Sequence, residues 1–157
     1  MSLEKAKKYL ESKGCLDHVI EPEVATGTVA EAAAALGVEP GMIAKTLSFL
    51  QGDKAVLILV EGDAKMDNHK YKDTFHTKAK MIPYDEVEHW VGHAPGGVCP
   101  FGINEGVEVW LDESLRKFET VYPAAGNDHS AVKLTLPELE EVCNAQGWVD
   151  VCKTPEG

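Results

Sequence analysis

Within seven residues, Gly96-Gly97-Val98-Cys99-Pro100-Phe101-Gly102, this chain places three glycines and a proline. Such a run neither continues a helix nor sits in a central strand. It can turn successive main-chain N–H groups into one concavity, around an anion or a developing oxyanion, with no side-chain nucleophile. By composition alone the same residues make a surface turn. Two further features keep the chemical reading open. Lys45 opens a segment whose same-parity residues are Leu47 and Phe49, so strand alternation points an ammonium toward an apolar face. It either snorkels to water or stands at a pocket rim, where it binds phosphate or a polarised oxygen. Downstream, Gly126-Asn127-Asp128-His129 joins two apolar stretches. It is either ordinary turn chemistry or a loop that presents Asp128 and His129 to a pocket. Asp63, after Gly62, is a turn residue first and a site residue second.

Other chemistry-bearing patterns are incomplete. The cysteines Cys15, Cys99, Cys143 and Cys152 form no C-x-x-C pair, so no structural zinc is expected. They read as reduced thiols of a cytoplasmic protein, and Cys99 alone sits where reactivity would matter. His89 and His93 have helical spacing but neither an H-E-x-x-H pattern nor a third ligand. No phosphate-binding P-loop, dinucleotide fingerprint or nucleophile elbow is present. Neither a metal nor a cofactor is expected.

The 157 residues carry a net charge of −11. The charge is uneven: residues 1–80 hold 11 lysines against 12 acids, whereas residues 81–157 hold 4 basic groups against 14 acids. A general nucleic-acid binder is basic, so DNA is not an expected partner. Lys65, Lys70, Lys72, Lys78 and Lys80, with His69 and His76, form either a solvated helix face or a local basic surface. The longest apolar run, Ala55 to Val60, reads as a buried strand and is far too short to span a bilayer. With no secretory pattern at the start, no membrane association is expected and the cytoplasm is the expected location.

Positioning these residues falls to a mixed set of elements. A short amphipathic helix is expected over residues 4–13. Thr28-Val29-Ala30-Glu31 is a capping box opening an alanine-rich helix that ends at Gly37. Pro40-Gly41 starts a short helical turn through Ala44. Strands over 45–51 and 54–60 make a hairpin. A polar helix follows from Asp67 to about His76, and a short one from Tyr84 to Val91. Beyond the glycine loop come a strand at Val107–Leu111, a short helix at Asp112–Lys117, and strands at Thr120–Ala124 and Ala131–Leu134. A second capping box, Thr135-Leu136-Pro137-Glu138, starts a last helix that ends before Gly147. Without a strict βαβ rhythm, the fold class is α+β: one domain over residues 1–157, its core about 25–145, with a mixed, barrel-like sheet surrounded by helices.

Taken in order, several segments resemble the YbaK/prolyl-tRNA synthetase-associated editing domains. They are Val29–Val38, Ile43-Ala44-Lys45-Thr46-Leu47, Val60-Glu61-Gly62-Asp63, Pro95–Gly102, Leu111–Leu115 and Ala125–His129, spread over about residues 28–140. The resemblance implies a trans-acting hydrolase of misacylated tRNA, removing a wrong small amino acid such as alanine or cysteine from a tRNA such as that for proline. It implies as partners the 3′ end of aminoacyl-tRNA and prolyl-tRNA synthetase. The family's essential lysine falls on Lys45 and its G-x-x-x-P loop on Gly96 and Pro100. Gly97, Val98 and His129 join Lys45 and Gly96 as expected catalytic positions; Cys99, Pro100, Phe101, Gly126, Asp128 and Asp63 are expected around the substrate. The chain departs from the family at Cys99, where serine is usual. The physics agrees with the implied role. A hydrophobic synthetic site rejects a smaller amino acid by only ~1–3 kcal/mol per missing methylene, so a second, smaller sieve is needed. The alternative is a non-catalytic module of the same fold that holds tRNA or a synthetase.

Overall fold

Ala55 to Val60 is buried on both faces of a sheet. Val56, Ile58 and Val60 enter one apolar cluster, with Phe49, Tyr71 and Val151, while Leu57 and Leu59 enter another, with Leu10, Phe101, Leu111 and Leu139. A continuous apolar run rather than an alternating one is what such a central strand requires. The computed structural model describes residues 2–95 and 97–153; Gly96, one of the expected site residues, lies outside them.

In chain order the elements are α1 (Ser2–Ser12), β1 (Val19–Ile20), α2 (Val29–Leu36), β2 (Ile43–Gln51), β3 (Lys54–Glu61), β4 (Lys65–Met66), α3 (Asn68–Phe75) and α4 (Val87–Val91). They continue with β5 (Glu108–Asp112), β6 (Thr120–Pro123), β7 (Ala131–Val132), β8 (Leu134–Thr135), α5 (Leu136–Val142), β9 (Trp148–Val149) and β10 (Cys152–Lys153). Short 3-10 turns at Pro40–Met42, Tyr84–Glu86 and Glu113–Lys117 link them. Six strands form a mixed sheet in the order β8-β6-β2-β3-β5-β9, curled into a half-barrel. This is the α+β, barrel-like architecture expected from the sequence.

Local chemistry sets the boundaries. The Thr28 hydroxyl accepts from Glu31 N at 3.1 Å while Thr28 N donates to the Glu31 carboxylate at 3.2 Å. The same reciprocal pair recurs between Thr135 and Glu138. Each cap satisfies two of the orphan donors at a helix start and contributes ~1 kcal/mol. The β2–β3 hairpin turns through Gly52-Asp53, with Gln51 facing Lys54.

Two expectations need correction. The turn at Pro40 stops at Met42, because Ile43 and Ala44 already pair with Tyr122 and Pro123. The strand expected over Ala131–Leu134 is two: Ala131–Val132 pairs with β1, and Leu134–Thr135 with β6. The last helix ends at Val142, before Gly147 as expected, and the chain then turns through Asn144 at φ 51°.

Candidate active site at an uncovered strand edge

β2 and β6 run parallel, but they pair over only two residues. β6 then ends, and the edge of β2 at Lys45 and Thr46 has no strand beside it. A cavity of about 210 Å³ occupies this place. The first turn of α2 contributes Thr28, Val29 and Ala32; the segment before it contributes Thr26 and Gly27. Tyr122, Ala124, Ser130 and Ala131 close another side, and Val98 of the glycine loop a further one. The walls are thus mostly methyl groups, with one ammonium and a few hydroxyls among them.

Lys45 is half-buried, and no hydrogen bond or ion pair holds its Nζ among the described residues. Burial pulls its pKa below the usual lysine value, and nearby Lys65 adds to the fall. Cys152, Asp63 and Glu61 oppose it. Its neighbour Thr46 presents a hydroxyl that is buried without a hydrogen-bond partner. Successive strand residues point to opposite faces, yet both reach this cavity because it opens on the strand's edge. Period-two reading therefore drew attention to Lys45 and passed over Thr46.

The two loops singled out in the sequence touch here. A Cβ on Gly97 would stand 2.4 Å from the Gly126 carbonyl oxygen and 2.7 Å from Asn127 Cα, distances no side chain tolerates. Gly126 itself has φ 103°. The Gly97 N–H donates to Ala94 O at 3.1 Å, so it is not free to receive an oxyanion; the Val98 N–H has no acceptor among the described residues. The late loop is held by a clasp that sequence reading missed. Ser130 N donates to Thr26 Oγ1 at 3.0 Å, Thr26 N to Asp128 O at 2.6 Å, and Ala125 N to Ser130 Oγ at 3.1 Å. Thr26 and Ser130 are both buried. Their signal in the sequence is faint: two small hydroxyl residues 104 positions apart.

The remaining expected residues surround the cavity without lining it. Asp128 and His129 are exposed on the late loop, paired through His129 Nδ1 and Asp128 Oδ1 at 2.8 Å. Asp63 is exposed on the turn before β4, within electrostatic range of Lys45. Pro100 and Phe101 are buried behind the loop, and Gly126 beneath it. Cys99 is fully buried; its Sγ lies 3.5 Å from His93 Nε2 and 3.6 Å from Phe101 O. Burial pushes its thiol up to about 12. A Cys–His pair thus exists, but it is sealed in the core and carries no thiolate at neutral pH.

Behind the loop stands α1. Lys5 Nζ donates to Gly92 O at 3.0 Å, and a Cβ on Gly102, which has φ 71°, would meet the Lys5 carbonyl oxygen at 2.7 Å. No helix among the described residues is long and apolar enough to cross a membrane.

Comparison with known proteins agrees with this architecture. The family model described as "Aminoacyl-tRNA editing domain" matches residues 23–142. The chain is 45% identical over 154 residues, 98% of each chain, to the Bacillus subtilis protein YwhH, whose function is uncharacterised. It is 31% identical over 121 residues to proline–tRNA ligase of the same organism, covering 76% of this chain but only 21% of the ligase. A solved structure reported as a candidate trans-editing enzyme for prolyl-tRNA synthetase superposes with a TM-score of 0.87 at 32% identity, over 97% of both chains. A half-barrel with a lysine-edged cavity, and a family model matching most of its length, place this chain in the aminoacyl-tRNA editing domain family.

Proposed function

We propose that this protein is a trans-acting aminoacyl-tRNA deacylase, hydrolysing the ester that joins a small mischarged amino acid, of the alanine or cysteine class, to the 3′ end of tRNA(Pro) in the cytoplasm. The observation that carries the reading is one cavity of about 210 Å³ edged by Lys45, with Val98 in its wall. Its size suits a small aminoacyl group, and its floor of Ala32, Ala44, Ala124 and Ala131 offers apolar contact without hydrogen-bond demands. Beside its wall, next to Val98, the Gly97 and Gly126 main chains meet with no room for a side-chain atom, which limits how far Val98 can recede to admit a larger side chain.

Among the described residues, no carboxylate, imidazole or thiol lines the cavity. Hydrolysis here therefore rests on positioning and electrostatics rather than on a protein nucleophile. The Lys45 ammonium supplies the one full positive charge among the described residues of the lining. It fits either the terminal phosphate of the tRNA or the ester oxygen, where negative charge grows as water attacks. Low local polarity strengthens that interaction. Thr46 and the Val98 N–H are the donors nearest to hand. The ribose hydroxyl beside the ester is suited to orient the water, since none of the described residues that line the cavity is a carboxylate or imidazole base. The proline–tRNA ligase relatives motivate the choice of tRNA and make the synthetase a partner to test.

The test is a deacylation screen over alanyl-, cysteinyl-, seryl- and prolyl-tRNA. Release of a small amino acid, lost in Lys45→Ala with the fold intact, supports the reading. Tight tRNA binding without turnover would instead favour a non-catalytic module, which the bare cavity also motivates.

A further inference from the structure

β4 and β10 form a two-stranded ladder beside the Lys45 end of β2, and its register sets two cations against each other. Lys65 faces Lys153 directly, and Met66 faces Cys152. Both lysines are exposed, and neither has an ion pair among the described residues. Like charges directly opposite on a ladder are destabilising, and this pair sits in a chain of net charge −11. The ladder adjoins the Lys45 end of β2: Lys45 pairs with Val60, and Val60 packs in one apolar cluster with Met66 and Cys152 of the ladder.

The acids nearby are already engaged. Asp150 takes Lys70 at 3.1 Å, Glu113 takes Arg116 at 2.7 Å, and Glu61 takes Lys117 at 3.1 Å. The Asp112 oxygens accept from Ser114 N and Val151 N, and Asp67 caps α3 through His69 N and Lys70 N. Asp63 is the exception, exposed and without an ion pair among the described residues. A groove of about 540 Å³ runs along Lys153 past Lys70 and Ser114, and its carboxylates, Asp112, Glu113 and Asp150, are the engaged ones just named; Lys65 lies outside its lining. By contrast, the Lys80 carbonyl accepts from Leu50 N, five residues and roughly 17 Å along β2 from Lys45. The lysines of residues 65–80 therefore do not make one face; only the Lys65 end adjoins the site.

We infer that Lys65 and Lys153 are a phosphate-binding pair for single-stranded RNA, gripping the backbone of the 3′ end whose terminal nucleotide reaches Lys45. Neighbouring strands stand ~4.8 Å apart, so two long side chains splayed from facing positions can meet consecutive phosphates. The inference rests on the deacylase reading for its substrate, and it adds the surface that holds that substrate outside the cavity. A contact kept alike in ground and transition states changes KM and leaves kcat alone.

The experiment measures binding of uncharged bulk tRNA, and of a short single-stranded RNA ending in CCA, as a function of salt, for the full chain and for Lys65→Gln, Lys153→Gln and the double variant. Each lost phosphate contact should flatten the log K against log salt slope by about 0.7, and the double variant by about 1.4. Lys8→Gln, on the exposed side of α1, should leave the slope unchanged. Because the substitutions relieve a like-charge pair, Tm should not fall. If the double variant keeps the wild-type slope on both RNAs, the pair is not a phosphate site. Wild-type protein that binds with the steep slope but releases no amino acid overturns the deacylase reading alone. Wild-type protein that deacylates while the double variant keeps both its slope and its KM overturns this inference alone.

Discussion

Gly97 and Gly126 meet main chain to main chain, with room for no side-chain atom between them. That contact joins the two loops that flank the cavity, and it converts two turn-forming sequences into one rigid wall. Gly97→Ala would drive a Cβ into the Gly126 carbonyl, an obstacle that no rotamer change removes. Overpacking of this kind costs about 1–3 kcal/mol. Thermal unfolding should show a Tm lower by roughly 2–4 °C per kcal/mol at this chain length. Deacylation should fall further than stability does, since Val98 is displaced with its neighbour. Unchanged Tm and activity in Gly97→Ala would mean the wall yields.

Lys45 should matter to activity and hardly to folding. Removing a group that stabilises developing charge costs about 10²–10³ in kcat in comparable sites, and Lys45→Ala should lose at least that much. Lys45→Met should unfold no more easily than wild type, because it removes a half-buried ammonium that has no ion pair. A deacylase assay paired with chemical denaturation separates the two effects.

The same lysine predicts a pH signature. Its folded pKa lies below its unfolded one, chiefly through burial. Between the two values the unfolded chain binds more protons, so stability rises with pH through that window. The wild-type deficit relative to Lys45→Met should therefore shrink as pH climbs toward the unfolded value of 10.5. Activity that needs the ammonium should fade on an alkaline limb centred below 10.5, after correction for spontaneous ester hydrolysis. A limb that persists unchanged in Lys45→Arg would assign it to another group.

Cys99 should prove silent. Its thiol is sealed beside His93 and raised to about 12. The native protein should resist alkylation at pH 8 and react fully once denatured, as the burial of all four cysteines requires. Cys99→Ser should keep deacylase activity within a few-fold. Rapid labelling of Cys99 in folded protein would contradict the packing described.

The Thr26–Ser130 clasp should be worth more than its two hydroxyls suggest. Ser130→Ala leaves the buried Ala125 N–H without its acceptor, and an orphaned buried donor costs about 1–3 kcal/mol. Calorimetry on Ser130→Ala and Thr26→Val, singly and together, should show non-additive losses, because the Thr26 hydroxyl holds the Ser130 main chain while the Ser130 hydroxyl holds Ala125 N, so both fix the same stretch of loop.

Much of this arrangement is legible in the sequence, where local chemistry decides. Thr28 with Glu31 and Thr135 with Glu138 announce helix starts. Gly52-Asp53 between apolar runs announces the hairpin, and Lys45 among Leu47 and Phe49 announces an ammonium out of place. The rest is decided across distance. Val19 pairs with Val132 and Met66 with Cys152, in strands two residues long that have no periodicity to read. The late loop looked like a hairpin turn because its flanks are apolar; Ala131–Val132 instead pairs with β1. Thr46, Thr26 and Ser130 are ordinary residues until the parallel strands part and leave a hollow. Cys99 stood in a suggestive place, but packing alone determines that it faces inward.

The first helix leans on a loop made 87 residues later. During synthesis at about 5–20 residues per second, Lys5 is polymerised roughly 4–17 seconds before Gly92 exists to receive it. Ala6 and Leu10 pack in one cluster with Leu111 and Leu139, so their covering is incomplete until those residues too are made. Maturation of the cavity is accordingly a late event, completed when the earliest-born segment docks onto a much younger one.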